Sequence, residues 1–159
     1  MKKIIFLLSI LLISNNCLAA GSADGTSKNN LYKSAKKLVL KAKKLEKKNK
    51  VDKALKLYSK AYDRLIKAYE KDKKNPDILN YLGFTLRKKG DYEKGEEYYL
   101  LGLQIDPDHK GINEYLGELY VVTDRIDLAK ERLGVLKNCN CEEYKELKEI
   151  IEGKKQSKY

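Results

Sequence analysis

Cys139 and Cys141 stand one residue apart in the stretch CNC, and His109 is the single histidine among 159 residues. These are the side chains with the chemistry for nucleophilic attack, redox exchange or soft-metal binding. Two sulfurs at this spacing admit three readings. A disulfide would close a small ring and clip a following segment to the helix before it. Unpaired thiols, or thiols paired between chains, would leave that segment unclipped. A redox or copper site is the third, although two soft sulfurs alone make an incomplete Cu(I) ligand set. His109, in DPDHKG, has no histidine partner and no cysteine at ligand spacing, so no metal is expected. No Ser-His-Asp or Cys-His set can be assembled around it. Glu96 and Glu97 are adjacent carboxylates in a helical, lysine-rich stretch, which suits a solvated face better than acid–base work. No glycine-rich phosphate loop follows a strand, because no strand pattern is present. Neither catalytic residues nor a cofactor are expected, and binding is the function class left.

The elements that carry these residues begin after a separate leader. MKKIIFLLSILLISNNCLAA opens with two lysines, continues in an apolar run from Ile4 to Ile13 and ends in small residues. That is the pattern of a secretory signal peptide over residues 1–20, and the run is too short to span about 30 Å of hydrocarbon. Asn15 and Asn16 before Cys17 do not suit a lipidation site. Export to the periplasm and an oxidising compartment are the expectation. Residues 21–30 read as a disordered leader, 31–152 as the folded domain and 153–159 as a disordered tail.

Within the folded part, YLGFTLRKKGDYEKGEEYYLLGLQIDP reads as two helices, yet Gly83, Gly95 and Gly102 sit inside them. Each costs about 1 kcal/mol relative to alanine. Gly117 follows Gly83 by 34 residues, Leu116 follows Leu82, and Ala129 follows Gly95. Self-similarity at this period marks a solenoid of helix–turn–helix units. Gly90 and Asp91 read as the stop of one helix and the cap of the next. Ala54, Tyr58 and Ala61 place an earlier unit. Its offset to the next, 41 residues from Ala42 to Gly83, is seven more than the period. The helix near Val51 should therefore run two turns longer while keeping its stripe through Leu65 and Ala68.

Leu79, Leu82–Gly83, Leu86, Gly95, Tyr99, Gly102 and Pro107 together resemble the tetratricopeptide repeat family. The resemblance implies an all-α, right-handed α-solenoid. Three repeats are expected, at about 35–74, 76–109 and 110–140, with a capping helix at 141–152 that carries Tyr144, Leu147, Ile150 and Ile151. It gives Gly83, Gly95, Gly102, Gly117 and Ala129 structural roles where helices cross. Tyr58, Tyr92, Tyr99 and Tyr120 fall on core positions, while Tyr81 and Tyr115 share a position beside the Leu-Gly pair. In the family, peptides lie along the concave face made by the first helix of each repeat. The corresponding positions are Lys36, Val39, Lys43 and Glu46, then Asp77, Asn80, Phe84 and Arg87, then Gly111, Glu114, Glu118 and Val121. Such a groove would run from basic to acidic. The family's carboxylate clamp for chaperone tails needs Lys and Asn where Val39 and Lys43 stand, so chaperone-tail binding is not implied.

Charge supports two partner classes. Residues 28–74 carry a net charge of +13 and residues 75–159 one of −3. A basic half attracts anionic surfaces. Lysines number 30 against 4 arginines, and arginine is the residue suited to phosphate and base recognition, so nucleic acid is not expected. The expected function is a cell-envelope interaction module that binds a protein or peptide on the concave face. The alternative is a structural component docked to an anionic envelope surface through its lysine-rich first hairpin.

Overall fold

The computed structural model describes residues 24–157, with side chains from Asn29 onward. The expected signal peptide lies outside the described residues. Seven helices follow one another without a strand among the described residues: α1 (Asp24–Glu46), α2 (Val51–Lys71), α3 (Pro76–Lys88), α4 (Tyr92–Ile105), α5 (Lys110–Val122), α6 (Ile126–Leu136) and α7 (Glu142–Ile151). They pack as the pairs α1–α2, α3–α4 and α5–α6, with α7 against α5 and α6. This is an all-α helical-repeat solenoid of three hairpins and a final helix.

Two boundaries differ from expectation. Helix α1 starts at Asp24, so residues 24–30 open a helix instead of forming a leader. No proline interrupts them, and once a helix is nucleated each added residue gains a backbone bond. At the other end the chain does not leave the surface after α7, as described below.

The first helices of the three pairs stop in the same way. In each, a residue in the turn that follows has a positive φ: 53° at Asn49, 84° at Gly90 and 58° at Asp124. The next N–H then reaches back six residues inclusive, from Lys50 to the Leu45 carbonyl, Asp91 to Leu86 and Arg125 to Tyr120. These are Schellman turns, which satisfy the last carbonyls and reverse the chain into the partner helix. The second helix of the middle pair is then capped by Asp91, whose side chain accepts from the Lys94 N–H at 3.3 Å. Gly90 has open space around it, so only its backbone conformation resists substitution. Gly90→Ala is expected to cost about 1 kcal/mol. Thermal or urea melts will check this, and a neutral result would remove the turn's demand for glycine.

Glycine removes bulk where the helices cross. A Cβ on Gly83 would lie 2.6 Å from the Tyr99 ring and 2.8 Å from the Gly95 carbonyl. A Cβ on Gly95 would lie 3.2 Å from the Gly83 carbonyl. The α3–α4 crossing is thus backbone on backbone, and close packing offsets the intrinsic helix cost. Gly102 gives its space to Ile112 of the next pair. Gly117 gives its space to Leu147 of α7, at 2.5 Å from the Cβ position. The cap helix therefore enters the third pair's crossing directly.

Helix α2 spans 21 residues against 14 in α4. The seven-residue difference is two turns, and it buries Leu65 and Ala68 completely. The core runs from Ala35, Val39 and Ala42 through Tyr58, Leu65 and Leu82. It continues in Tyr99, Ile112, Leu116, Tyr120 and Ala129. Tyr92 departs from its expected core position. It is the first residue of α4, directly after the Asp91 cap, and is exposed.

Cys139 and Cys141 are joined by a disulfide, with Cα atoms 5.2 Å apart. Cys141 is the residue that precedes α7, so the ring holds the entry of the cap helix to the end of α6. So small a ring removes little entropy from the unfolded chain. Reduction is expected to lower stability by no more than about 2 kcal/mol. The loss should be read locally, as faster hydrogen exchange over residues 141–152 with α1–α4 unchanged.

Candidate functional site

Helices α1, α3 and α5 share one face, and two cavities open on it. The first, of about 490 Å³, is lined by Lys36, Asp77, Asn80, Tyr81, His109 and Glu114, among others. The second, of about 750 Å³, is lined chiefly by Leu40, Lys43, Phe84, Lys88, Tyr115 and Glu118. Tyr115 contributes to both and forms the wall between them.

At the first cavity, Asn75 accepts from the Ile78 N–H at 3.3 Å and Pro76 follows it, which starts α3. This places Asp77, Asn80 and Tyr81 on successive turns of the open face. His109 plays the same capping part for α5, with Nδ1 accepting from the Ile112 N–H at 3.1 Å. Its proton is then on Nε2, 3.4 Å from the Asp77 carboxylate. That hydrogen bond, with Lys36 nearby, holds the Asp77 carboxyl below its ordinary value despite partial burial. Lys36 itself is exposed, 5.9 Å from the Tyr81 ring centre. Burial raises the Tyr81 and Tyr115 hydroxyls, so both stay protonated. Asn80 is 6% exposed, and its side-chain oxygen has no hydrogen-bond partner among the described residues. A Cβ on Gly111 would lie 2.8 Å from the Asn80 amide nitrogen, so the glycine makes room for that side chain.

The second cavity is built around aromatic rings. Phe84 meets Tyr115 at 5.1 Å and Tyr58 at 5.8 Å between ring centres. The Lys43 ammonium lies 4.4 Å from the Phe84 ring centre and donates to the Tyr115 hydroxyl at 3.0 Å. Beneath, Arg87 pairs with Glu118 at 3.3 Å and donates to the Tyr115 carbonyl. Both charged side chains are almost wholly buried. Burial lowers the Arg87 pKa, opposed by Tyr99, Glu118 and other neighbours.

All eight expected groove residues thus fall on this face or directly under it, but they divide. Lys36 and Asp77 are exposed and Lys43 is half-buried, whereas Asn80, Phe84, Arg87, Glu114 and Glu118 are buried. Repeat numbering gives the face of a helix and not how closely neighbouring helices stack. Arg87 and Glu118 are spent on joining α3 to α5, so they support the groove floor. Val39, at another groove position, is a core residue at 1% exposure. Sequence reasoning gave His109 no part in the fold and left Tyr115 only half placed. The shared spacing of Tyr81 and Tyr115 was the one signal for the latter.

Residues 76–109, which comprise α3, α4 and the turns that bound them, match the family model described as Tetratricopeptide repeat. This segment is similar to a tetratricopeptide repeat. The solenoid around it has the fold of tetratricopeptide repeat domains of known structure. The Yersinia enterocolitica type III secretion chaperone SycD, solved in complex with a peptide of the translocator YopD, aligns with a TM-score of 0.54 at 17% identity, over 76% of this chain and 88% of that one. The second such domain of human RPAP3, in complex with the HSP70 peptide SGPTIEEVD, aligns with a TM-score of 0.52 at 15% identity, over 79% and 98%. A tetratricopeptide repeat protein from Parabacteroides merdae ATCC 43184 aligns with a TM-score of 0.52 at 16% identity, over 77% and 61%. No curated protein matches the sequence.

Proposed function

We propose that this chain is a protein-interaction module that holds an extended peptide, or an extended segment of a partner protein, along the face of α1, α3 and α5. The observation that carries the reading is the Asn80 side-chain oxygen, buried without a partner at the wall of the first cavity. An unsatisfied buried acceptor costs about 1–3 kcal/mol, and a ligand N–H would recover that once the Asn80 amide turns to present its oxygen to the cavity it lines. A peptide backbone supplies such donors at regular intervals. Tyr81 and Tyr115 flank the position with neutral hydroxyls, and Lys36 and Asp77 offer both signs of charge at the rim. The two structural neighbours solved with peptides lend the same class of ligand to this fold. Nothing in the cavity requires catalysis.

The setting that fits the N-terminal sequence is the bacterial cell envelope, reached by export. Pull-down from periplasmic extract is the experiment, with the double variant Asn80→Ala, Tyr81→Ala as control. Loss of the partner in the variant is the expected result, with affinity for the identified partner at least about 10-fold weaker, which corresponds to 1.4 kcal/mol. Retention of the same partner would remove the groove from the account. The second reading is docking to an anionic surface through α1 and α2, where Lys37, Lys41, Lys44, Lys53, Lys56 and Lys60 are all exposed. Binding of that kind falls steeply with salt and follows lysine number. Groove binding should persist at 0.5 M salt.

A further inference from the structure

Helix α7 ends in the same turn as the first helices of the three pairs. Gly153 has φ 69°, its N–H donates to the Ile150 carbonyl, and the Lys154 N–H reaches the Glu149 carbonyl at 2.9 Å. After α1, α3 and α5 this turn delivers the chain into a second helix. After α7 it delivers residues 154–157 onto the groove face. Lys155 pairs with the carboxylates of Glu146 and Glu149. Ser157 donates to Glu118 Oε2 at 3.1 Å and lines the second cavity beside Phe84 and Tyr115. Residues 154–157, expected to belong to a disordered tail, therefore turn back beside α7, with the Lys155 N–H also reaching the Glu149 carbonyl at 3.2 Å, and end against α5 at Ser157.

The α7 side of its path is acidic, whereas the cavity where Ser157 ends sets Glu46 and Glu118 among Lys43, Lys44, Lys47 and Lys88. Glu114 and Glu118 come from α5, and Glu143, Glu146 and Glu149 from α7. The tail, GKKQSKY, is basic and polar. We infer that the α5–α7 end of the groove is a site for lysine-bearing extended segments, and that the chain's own tail is its resident occupant. It rests on the peptide-binding reading and adds the kind of peptide and its gate. A partner segment with the same chemistry enters by displacing residues 154–157. Tethering supplies the tail at high effective concentration, so in the intact chain the site answers only to a partner that binds well enough to compete. The tail also covers Glu118, which helps to explain why an expected groove residue is buried.

The test uses the full chain and a variant with Lys155→Glu and Ser157→Glu, which turns the tail against Glu146 and Glu118. The probe is the synthetic peptide GKKQSKY, added in trans and followed by nitrogen–proton chemical shifts. The variant is expected to bind the probe about 10-fold or more tightly than the unaltered chain, with shifts at Tyr115, Glu118 and Glu146. Equal binding by the two chains would overturn the tail's role as occupant. Failure of the variant to bind the probe would overturn the site itself. Adding Glu146→Lys to the variant keeps the fold, because Glu146 is outside the core, and should abolish probe binding. Probe shifts confined to α1–α2 would also overturn the proposal. A partner whose binding depends on Asn80 and Tyr81 while being indifferent to the tail variant would leave the peptide-binding reading standing without this extension.

Discussion

Gly83→Leu should unfold the middle repeat at temperatures where the unaltered chain is folded. A Cβ at this position already meets the Tyr99 ring at 2.6 Å and the Gly95 carbonyl at 2.8 Å. The ring could turn aside, but the carbonyl belongs to the backbone of α4. Relief requires α3 and α4 to move apart, which opens the packing of Tyr99, buried at 0% exposure. Overpacking of this kind costs about 1–3 kcal/mol and more where backbone must shift. That is a large part of the 5–15 kcal/mol typical of a whole domain. Gly83→Ala should lie between the two, since it brings the first carbon of the clash and not the rest. Circular dichroism melts give the measurement. A change under about 0.5 kcal/mol for Gly83→Leu, the level of an ordinary surface substitution, would mean that the helices do not cross there.

Arg87→Met is the second large effect. The Arg87–Glu118 pair is 3.3 Å long, with side-chain exposures of 0% and 2%. Removing the guanidinium leaves the Glu118 carboxylate buried beside aromatic rings and takes a donor from the Tyr115 carbonyl. Breaking a buried pair in this way costs about 3–5 kcal/mol. The double variant Arg87→Met, Glu118→Leu removes the other buried charge as well, and replacement of a whole buried pair is often neutral or stabilising. Most of the loss should therefore return in the double variant. A single-variant cost below about 1 kcal/mol, in the range of exposed pairs, would place Arg87 in solvent instead of under Tyr115.

Much of the architecture was legible because glycine reports contact. Gly83, Gly95 and Gly102 are costly in helices unless something occupies the missing side chain's place, so their spacing carried the helix crossings and the repeat period. The longer α2 was legible for a related reason: a seven-residue insertion keeps a helical stripe in register, and Leu65 and Ala68 stayed on it. The open face was legible as a set of positions. Its depth was not. Whether Arg87 stands in a groove or beneath it depends on the distance between α3 and α5, which is set by Tyr115 and Glu118 across a gap of 28 and 31 residues. No periodicity encodes that. The tail was illegible for another reason. GKKQSKY lacks the aliphatic residues that mark packed chain, and its Lys155 and Ser157 are held by side-chain polar contacts at Glu146 and Glu118 that composition cannot reveal.

The central claim is that the face of α1, α3 and α5 holds an extended peptide. Chemical-shift mapping on the full chain tests it most directly, using a peptide selected for affinity from a random library. The account predicts shifts concentrated at Lys36, Asn80, Tyr81 and Tyr115, with the Asn80 side-chain amide among the largest, and loss of binding in Asn80→Ala, Tyr81→Ala. Shifts concentrated instead on the exposed residues of α2, α4 and α6, with binding unchanged in that variant, would contradict it.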